Sequence, residues 1–217
     1  VAERIEIHSE QPDPRTLGRI AGILRGGGLV AYPTETFYGL GADAMNPAAV
    51  DRVFAAKGRD FKSPVGLVIG RIADLDPLVA EIPAAGRRLM DAFWPGPLTL
   101  VFRASGTILP RLTAGTGRIG IRLSGLPAAR ALAAALGGPL TATSANRSGE
   151  RECNTAGEVL EQLGGVIDAV ADGGATTGGL GSTFVDVSGE TPVILRRGAI
   201  AEEDIRRILE KTGKKIR

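Results

Sequence analysis

The chain has 217 residues, with 26 Lys and Arg against 24 Asp and Glu, a net charge of +2 with its lone histidine neutral. No strong electrostatic pull toward nucleic acid follows from that balance, and 43% apolar with 23% charged residues is the make-up of an ordinary soluble domain. Cys153 is the single cysteine and His8 the single histidine, so an internal disulfide is excluded, and neither structural zinc nor a histidine-based nucleophilic triad is expected.

No apolar run approaches the ~18 residues of a membrane span, and no signal-peptide pattern opens the chain, so a cytoplasmic protein without membrane contact is expected. The basic tail KTGKKIR reads as a solvated terminus rather than an RNA-binding arm.

In chain order, residues 15–28 have helical spacing at Leu17, Ile20, Ile23 and Leu24 and stop at three glycines. Strand LVAYP (29–33) follows and runs into Thr34, Glu35, Thr36, Tyr38 and two glycines. Loops at strand ends carry binding groups because the scaffold behind them is rigid, although a plain glycine-rich turn would read the same way.

Asn46 as N-cap and Pro47 at the first helical position open a helix that closes on Gly58. A strand is expected at 65–70, a helix at 84–94, strands at 98–104 and 118–123, a helix at 127–138, and a strand at 139–146 that leads into a loop. Thr155 and Glu158 form a capping box for a helix over 155–165. Strands at 166–174, 182–187 and 192–198 and a last helix at 201–211 complete the pattern. With no repeat and no low-complexity linker, the economical reading is one α/β domain over 1–217. Strand order does not follow from this pattern.

Polar residues collect where these elements end. Lys57 and Arg59 flank Gly58 in KGRDFKSP. Two cations there suit a phosphate or carboxylate, and equally suit a helix C-terminal dipole. Arg122 stands at a strand exit in RIGIRLSG. TATSANRSG (141–149) is a run of small hydroxyls ending in Asn146, which a side-chain turn explains as well as a ligand does. Ser182 and Thr183 start a strand after glycines, and Arg196 and Arg197 follow one. There is no P-loop, no dinucleotide-binding glycine fingerprint and no GxSxG nucleophile motif. Cations, hydroxyls and glycine-lined loops without a nucleophile suit chemistry carried by positioning and electrostatic stabilisation.

Taken in order, GGLVAYPTETFYGLGADA, KGRDFKSP, FWPGPLTLVF, IGIRLSG, TATSANRSG, GSTFVD and ILRRGAI resemble the YrdC-like family of threonylcarbamoyl-AMP synthases. The resemblance runs from about residue 16 to 205. It implies a twisted mixed α/β sheet with flanking helices around a large concave cavity, with no additional C-terminal domain. It implies a reaction of L-threonine, bicarbonate and ATP, with Mg2+ on the nucleotide, giving threonylcarbamoyl-adenylate and pyrophosphate. Downstream threonylcarbamoyl-transferase proteins would carry the group to a tRNA adenosine beside the anticodon, and weak contact with tRNA itself fits that setting.

On this resemblance Thr36, Tyr38, Arg122, Ala142 and Ser182 form the threonine end. Lys57, Arg59, Ser63, Ser144, Asn146, Thr183 and Arg196 hold ATP, with Lys57 and Arg59 catalytic and no protein metal site. The sequence departs from the family at Val68, where many members have histidine, and at Ser63, where asparagine is common. Cys153 falls near the nucleotide in the family and reads as a small filler. Two alternatives stand beside the synthase. One is a carbamoyl-adenylate-forming enzyme of the same fold, against which the single cysteine argues. The other is a non-enzymatic RNA-binding module, against which the near-neutral charge argues.

Overall fold

The computed structural model describes residues 1–58 and 63–210. Ten strands form one twisted sheet in the order β1-β8-β2-β3-β7-β4-β6-β5-β9-β10. They are β1 (Glu3–Glu6), β2 (Val30–Tyr32), β3 (Gly39–Gly41), β4 (Gly66–Val68), β5 (Leu98–Arg103), β6 (Arg118–Arg122), β7 (Leu140–Ser144), β8 (Ala169–Asp172), β9 (Thr183–Asp186) and β10 (Val193–Arg196). The sheet is mixed: β1 and β2 run parallel to β8, whereas β3 is antiparallel to both β2 and β7.

The helices are α1 (Pro14–Arg25), α2 (Pro47–Lys57), α3 (Ala84–Phe93), α4 (Pro110–Thr113), α5 (Pro127–Leu136), α6 (Ala156–Leu163) and α7 (Glu202–Glu210). Their ends are set by local signals, of which the sequence marks those of α2 and α6 and the glycines after α1 and α5. Asp13 accepts from the amides of Arg15 and Thr16 to start α1, and the Asn46 side chain accepts from those of Ala48 and Ala49 to start α2. Gly58 closes α2 in the left-handed region at φ 58°, where a Cβ is disfavoured. The Thr155–Glu158 capping box at α6 is present with both of its bonds.

Three apolar clusters sit against the sheet. Ile20 and Leu24 of α1 meet Ala129 and Leu132 of α5 over Val30 and Tyr32. Ala49 and Val53 of α2 join Val159 and Leu163 of α6. The largest cluster gathers Phe54, Leu89, Phe102, Ile121, Ile205 and Leu209 around β4, β5 and β6.

Two strands have too little pattern to be read from the sequence. β1 is the charged stretch ERIE, held by parallel pairing with β8. β3 is GLG, inside what reads as a polar loop. Its glycines serve neither a turn nor flexibility. β2 and β3 pair with Tyr32 opposite Gly39 and Val30 opposite Gly41. A Cβ on Gly39 or Gly41 would lie 3.0 or 2.8 Å from the Tyr32 ring. The ring occupies the space that two side chains would need, and its hydroxyl donates to the Thr141 carbonyl at 3.1 Å. Residues 33–38 are thereby a short loop between two paired strands, fixed at both ends.

Candidate active site

A cavity of about 420 Å³ opens where the ends of β2, β4, β6, β7 and β9 converge, a size that suits a small organic ligand. Thr34 and Thr36 from the 33–38 loop form one side, and Gly66 and Val68 of β4 with Ala142 and Ser144 of β7 form the floor. Thr99, Ser182, Phe184 and Arg196 lie across from them, with Arg122 at the end of β6 and Glu152 completing the wall. From the sequence-derived set, Thr36, Tyr38, Arg122, Ala142, Ser144, Ser182 and Arg196 thus come together around one space.

Of the two arginines lining the cavity, Arg122 is the more deeply placed, its side chain only 9% exposed. Its Nη2 pairs with Glu35 Oε2 at 2.8 Å, and both terminal nitrogens reach Thr36 Oγ1 at 3.3 and 3.4 Å. Its Nε is buried with no hydrogen-bond partner among the described residues. Glu35 also accepts from the Ser124 hydroxyl and from the Gly125 amide, the latter at 2.7 Å. Burial alone would push the Glu35 carboxyl up. The Arg122 charge and the hydrogen bonds from Arg122, Ser124 and Gly125 outweigh it, so the group lies below the ordinary carboxylate range.

Arg196 is held differently. Its guanidinium lies 4.2 Å from the centre of the Phe184 ring, a stacking attraction between cation and π face. Nε and Nη2 donate to the Ser182 carbonyl at 3.2 and 2.9 Å, and Nη2 also reaches Ser182 Oγ. Burial draws this group below its usual range, with the Glu152 charge opposing that shift and the Arg122 charge adding to it. Ser182 Oγ in turn meets Thr99 Oγ1 at 2.9 Å. The glycine of ILRRG has a steric reason: a Cβ on Gly198 would come within 2.3 Å of the Gly181 carbonyl, and the Ala199 amide bonds that carbonyl at 2.8 Å.

Other predicted residues do structural work around the cavity. Lys57 is 5% exposed, and its ammonium donates to the carbonyls of Ser144 and Asn146 and to Asn146 Oδ1. The Asn146 amide nitrogen donates onward to the carbonyls of Arg147 and Glu150. The pair therefore braces the loop after β7. Tyr38 is buried, with its hydroxyl donating to the Gly174 carbonyl at 2.7 Å. Burial pushes its phenol up to about 12, so it shapes the wall as a neutral group.

Thr183 lies between Ser182 and Phe184, and alternation along the strand turns it to the opposite face. There its hydroxyl donates to the Ile200 carbonyl and accepts from the Ile200 amide. Ser63 is half-buried beside Pro64, which lines the cavity. Arg59 lies outside the described residues. Val68 makes its part of the floor apolar. Cys153 is buried in the cluster with Val159 and Leu163, as a small filler would be.

Ser124, Phe184, Thr99 and Glu152 are not marked by the sequence, and Glu35 is marked only as part of its polar loop, with no role. Glu35 stood between two threonines already flagged. Phe184 is findable by alternation from Ser182. Nothing local to the sequence pairs Glu35 with Arg122, which are 87 positions apart in number but share an ion pair.

An open α/β sheet with two arginines and a ring of hydroxyls around one cavity is an arrangement chemically suited to small anionic ligands. The comparisons with known proteins narrow this. Residues 22–198 match the Sua5/YciO/YrdC family model, described as "telomere recombination", and the chain belongs to this family. It is 40% identical over 198 residues to a threonylcarbamoyl-AMP synthase of Bacillus subtilis, covering 91% of this chain and 57% of that protein. Against a putative threonylcarbamoyl-AMP synthase of Mycobacterium tuberculosis it is 36% identical, covering 91% of this chain and 92% of the other. The structure of Pyrococcus abyssi Sua5 complexed with L-threonine superposes with a TM-score of 0.93 at 36% identity, covering 99% of this chain and 62% of that one. The chain thus spans little more than half the length of some relatives and nearly all of others. No helix among the described residues is long and apolar enough to cross a membrane.

Proposed function

We propose that this chain is a threonylcarbamoyl-AMP synthase, a nucleotidyltransferase that converts L-threonine, bicarbonate and ATP into threonylcarbamoyl-adenylate and pyrophosphate. The product would serve modification of a tRNA adenosine beside the anticodon, by way of downstream transferase proteins. The observation that carries the reading is Arg122. It is a buried guanidinium with donor capacity left over, beside Thr36, in a cavity that also holds Arg196. A relative superposing on nearly the whole chain is described in complex with L-threonine.

In this reading the threonine carboxylate meets Arg122, with Thr36, Ala142 and Ser182 around the rest of the amino acid. The nucleotide lies toward Arg196 and Ser144, with the loop braced by Lys57 and Asn146 beneath it. Bicarbonate takes up a proton and loses water to give CO2, and the neutral amine of threonine attacks its carbon and releases a proton, giving a carbamate. A carbamate oxygen then attacks the α-phosphorus, and the bond to the departing pyrophosphate breaks. Negative charge grows on phosphate oxygens in that step, where fixed cations lower the barrier most. No covalent enzyme intermediate is needed, in keeping with a cavity of hydroxyls and arginines. Carbamates break down in water, so a site walled by Val68, Phe184 and Tyr38 also protects the intermediate.

Magnesium belongs to the nucleotide substrate here. Bound with ATP, it would be held mainly by the nucleotide and water and would offset the charge of the phosphates. A short incubation with ATP, magnesium, bicarbonate and L-threonine, each omitted in turn and read by mass spectrometry, tests the proposal. A threonylcarbamoyl-adenylate mass that requires all three substrates supports it. Turnover of carbamoyl phosphate in its place, or salt-sensitive RNA binding with no ATP turnover, would replace it.

A further inference from the structure

We infer that Glu35 is a positioning residue for the amino-acid end of the cavity. Its carboxylate fixes the Arg122 guanidinium in the orientation that receives a substrate carboxylate. The inference rests on the proposed pairing of Arg122 with the amino acid.

An arginine as enclosed as Arg122 needs a counter-charge, because an uncompensated buried cation is strongly unfavourable. Glu35 supplies it at 2.8 Å. The carboxylate is in turn gripped by groups that do not belong to the cavity, the Ser124 hydroxyl and the Gly125 amide. These follow Arg122 by two and three residues, so one strand end supplies both the cation and the anchors of its partner. Gly125 leaves room for this arrangement, since a Cβ there would lie 3.3 Å from Glu35 Cδ. Glu35 is therefore held in place independently of Arg122.

The two partners also face different spaces. Arg122 lines the 420 Å³ cavity, whereas Glu35 lines a second one of about 390 Å³ with Ser9, Glu10 and Thr176. A ligand in the first cavity meets the guanidinium and not the carboxylate behind it. Among the described residues the guanidinium has one short contact, to Glu35. Its bonds to Thr36 are long. Five N–H donors in a rigid fork then leave enough for a carboxylate to bind in bidentate fashion.

A counter-ion could instead act as a competitor, so that its removal would tighten substrate binding. The separate anchoring of Glu35 argues for positioning, because the carboxylate has no need to move when a ligand arrives. L-Threonine affinity by calorimetry and steady-state KM for L-threonine and ATP should be measured for the wild type, Glu35→Gln, Ser124→Ala, Arg122→Gln and the Glu35→Gln/Arg122→Gln double variant. Glu35→Gln should raise Kd and KM for L-threonine about ten- to a hundredfold, the cost of a misplaced binding group, with KM for ATP unchanged. Ser124→Ala should act in the same direction more weakly, and it decides alone if Glu35→Gln does not fold. In the Arg122→Gln background, Glu35→Gln should add nothing, which a general structural role would not produce. Unchanged or tighter threonine binding in Glu35→Gln, or additive effects in the double variant, overturns the inference while leaving the Arg122 reading intact. A wild-type protein that binds no L-threonine overturns both.

Discussion

Lys57→Met separates two roles for one buried cation. Methionine keeps most of the aliphatic stem and removes the ammonium, which donates to the Ser144 and Asn146 carbonyls and to Asn146 Oδ1. Hydrogen bonds from a charged donor contribute about 1.5–3 kcal/mol each. They do not simply add, and the variant recovers the cost of burying the ammonium. A net loss of roughly 2–4 kcal/mol follows from these two opposing contributions. In a chain of this size that is a drop in Tm of about 5–15 °C, measured by thermal unfolding without ligand. Activity should fall as well, because the end of β7 at Ser144 and the loop after it with Asn146 lose their brace. An ammonium that served only as a phosphate ligand would give lost activity with wild-type Tm. That outcome would refute the bracing argument.

Three further outcomes follow from particular groups. Burial first, then the neighbouring Glu158 charge, pushes the Cys153 thiol up to about 11; at mildly alkaline pH a thiol reagent should label it slowly in the folded protein and quickly in denaturant. Glu35 is held below its ordinary value of 4.5, so its stabilising contribution is complete above that pH and is lost as pH falls through the lower folded value. Acid unfolding of wild type and Glu35→Gln should therefore diverge above that range and converge below it; parallel curves would remove Glu35 as a source of acid sensitivity. Thr155→Ala removes the hydroxyl that caps α6 and should cost about 1 kcal/mol in urea unfolding, with no change in substrate KM.

The longer helices are legible because their signals are local, whereas the single turn of α4 is not. An N-cap, a proline in the first turn and a closing glycine lie within one segment, as at Asn46, Pro47 and Gly58. The strands hidden from the sequence owe their existence to partners far away. ERIE has the charge of a loop and becomes β1 by pairing beside β8, and GLG becomes β3 because a tyrosine ring fills the space over its glycines.

The same division runs through the site. Arg122, Ser182 and Arg196 stand at strand ends that the sequence marks, and the structure gathers them. The partner that holds each one comes from elsewhere in the chain or from the alternation of a strand. Glu35 reaches Arg122 from another loop, and Phe184 lies under Arg196 because β9 and β10 pair antiparallel with a register shift between Ile194 and Arg196.

The two arginines also show how one cavity can treat two anions differently. Arg122 is neutralised by a neighbouring carboxylate, and what it offers a ligand is shape and hydrogen bonds more than net charge. Arg196 has no ion-pair partner among the described residues and is held by a ring face and a carbonyl oxygen, so its positive charge remains available. A polyphosphate carries several negative charges and gains most at an uncompensated cation. An amino-acid carboxylate carries one, beside an ammonium of opposite sign, and gains most from a fork already oriented to receive it. Under the proposed function, the different restraints on the two guanidinium groups would sort the ligands, the triphosphate toward Arg196 and the amino acid toward Arg122. Exchanging the restraints should blur that sorting. Phe184→Leu, which removes the ring beneath Arg196 and keeps an apolar side chain, should raise KM for ATP and leave KM for L-threonine unchanged, the reverse of the pattern expected for Glu35→Gln. Equal effects on both substrates would mean that the cavity responds as a whole and that the separate restraints do not direct the ligands.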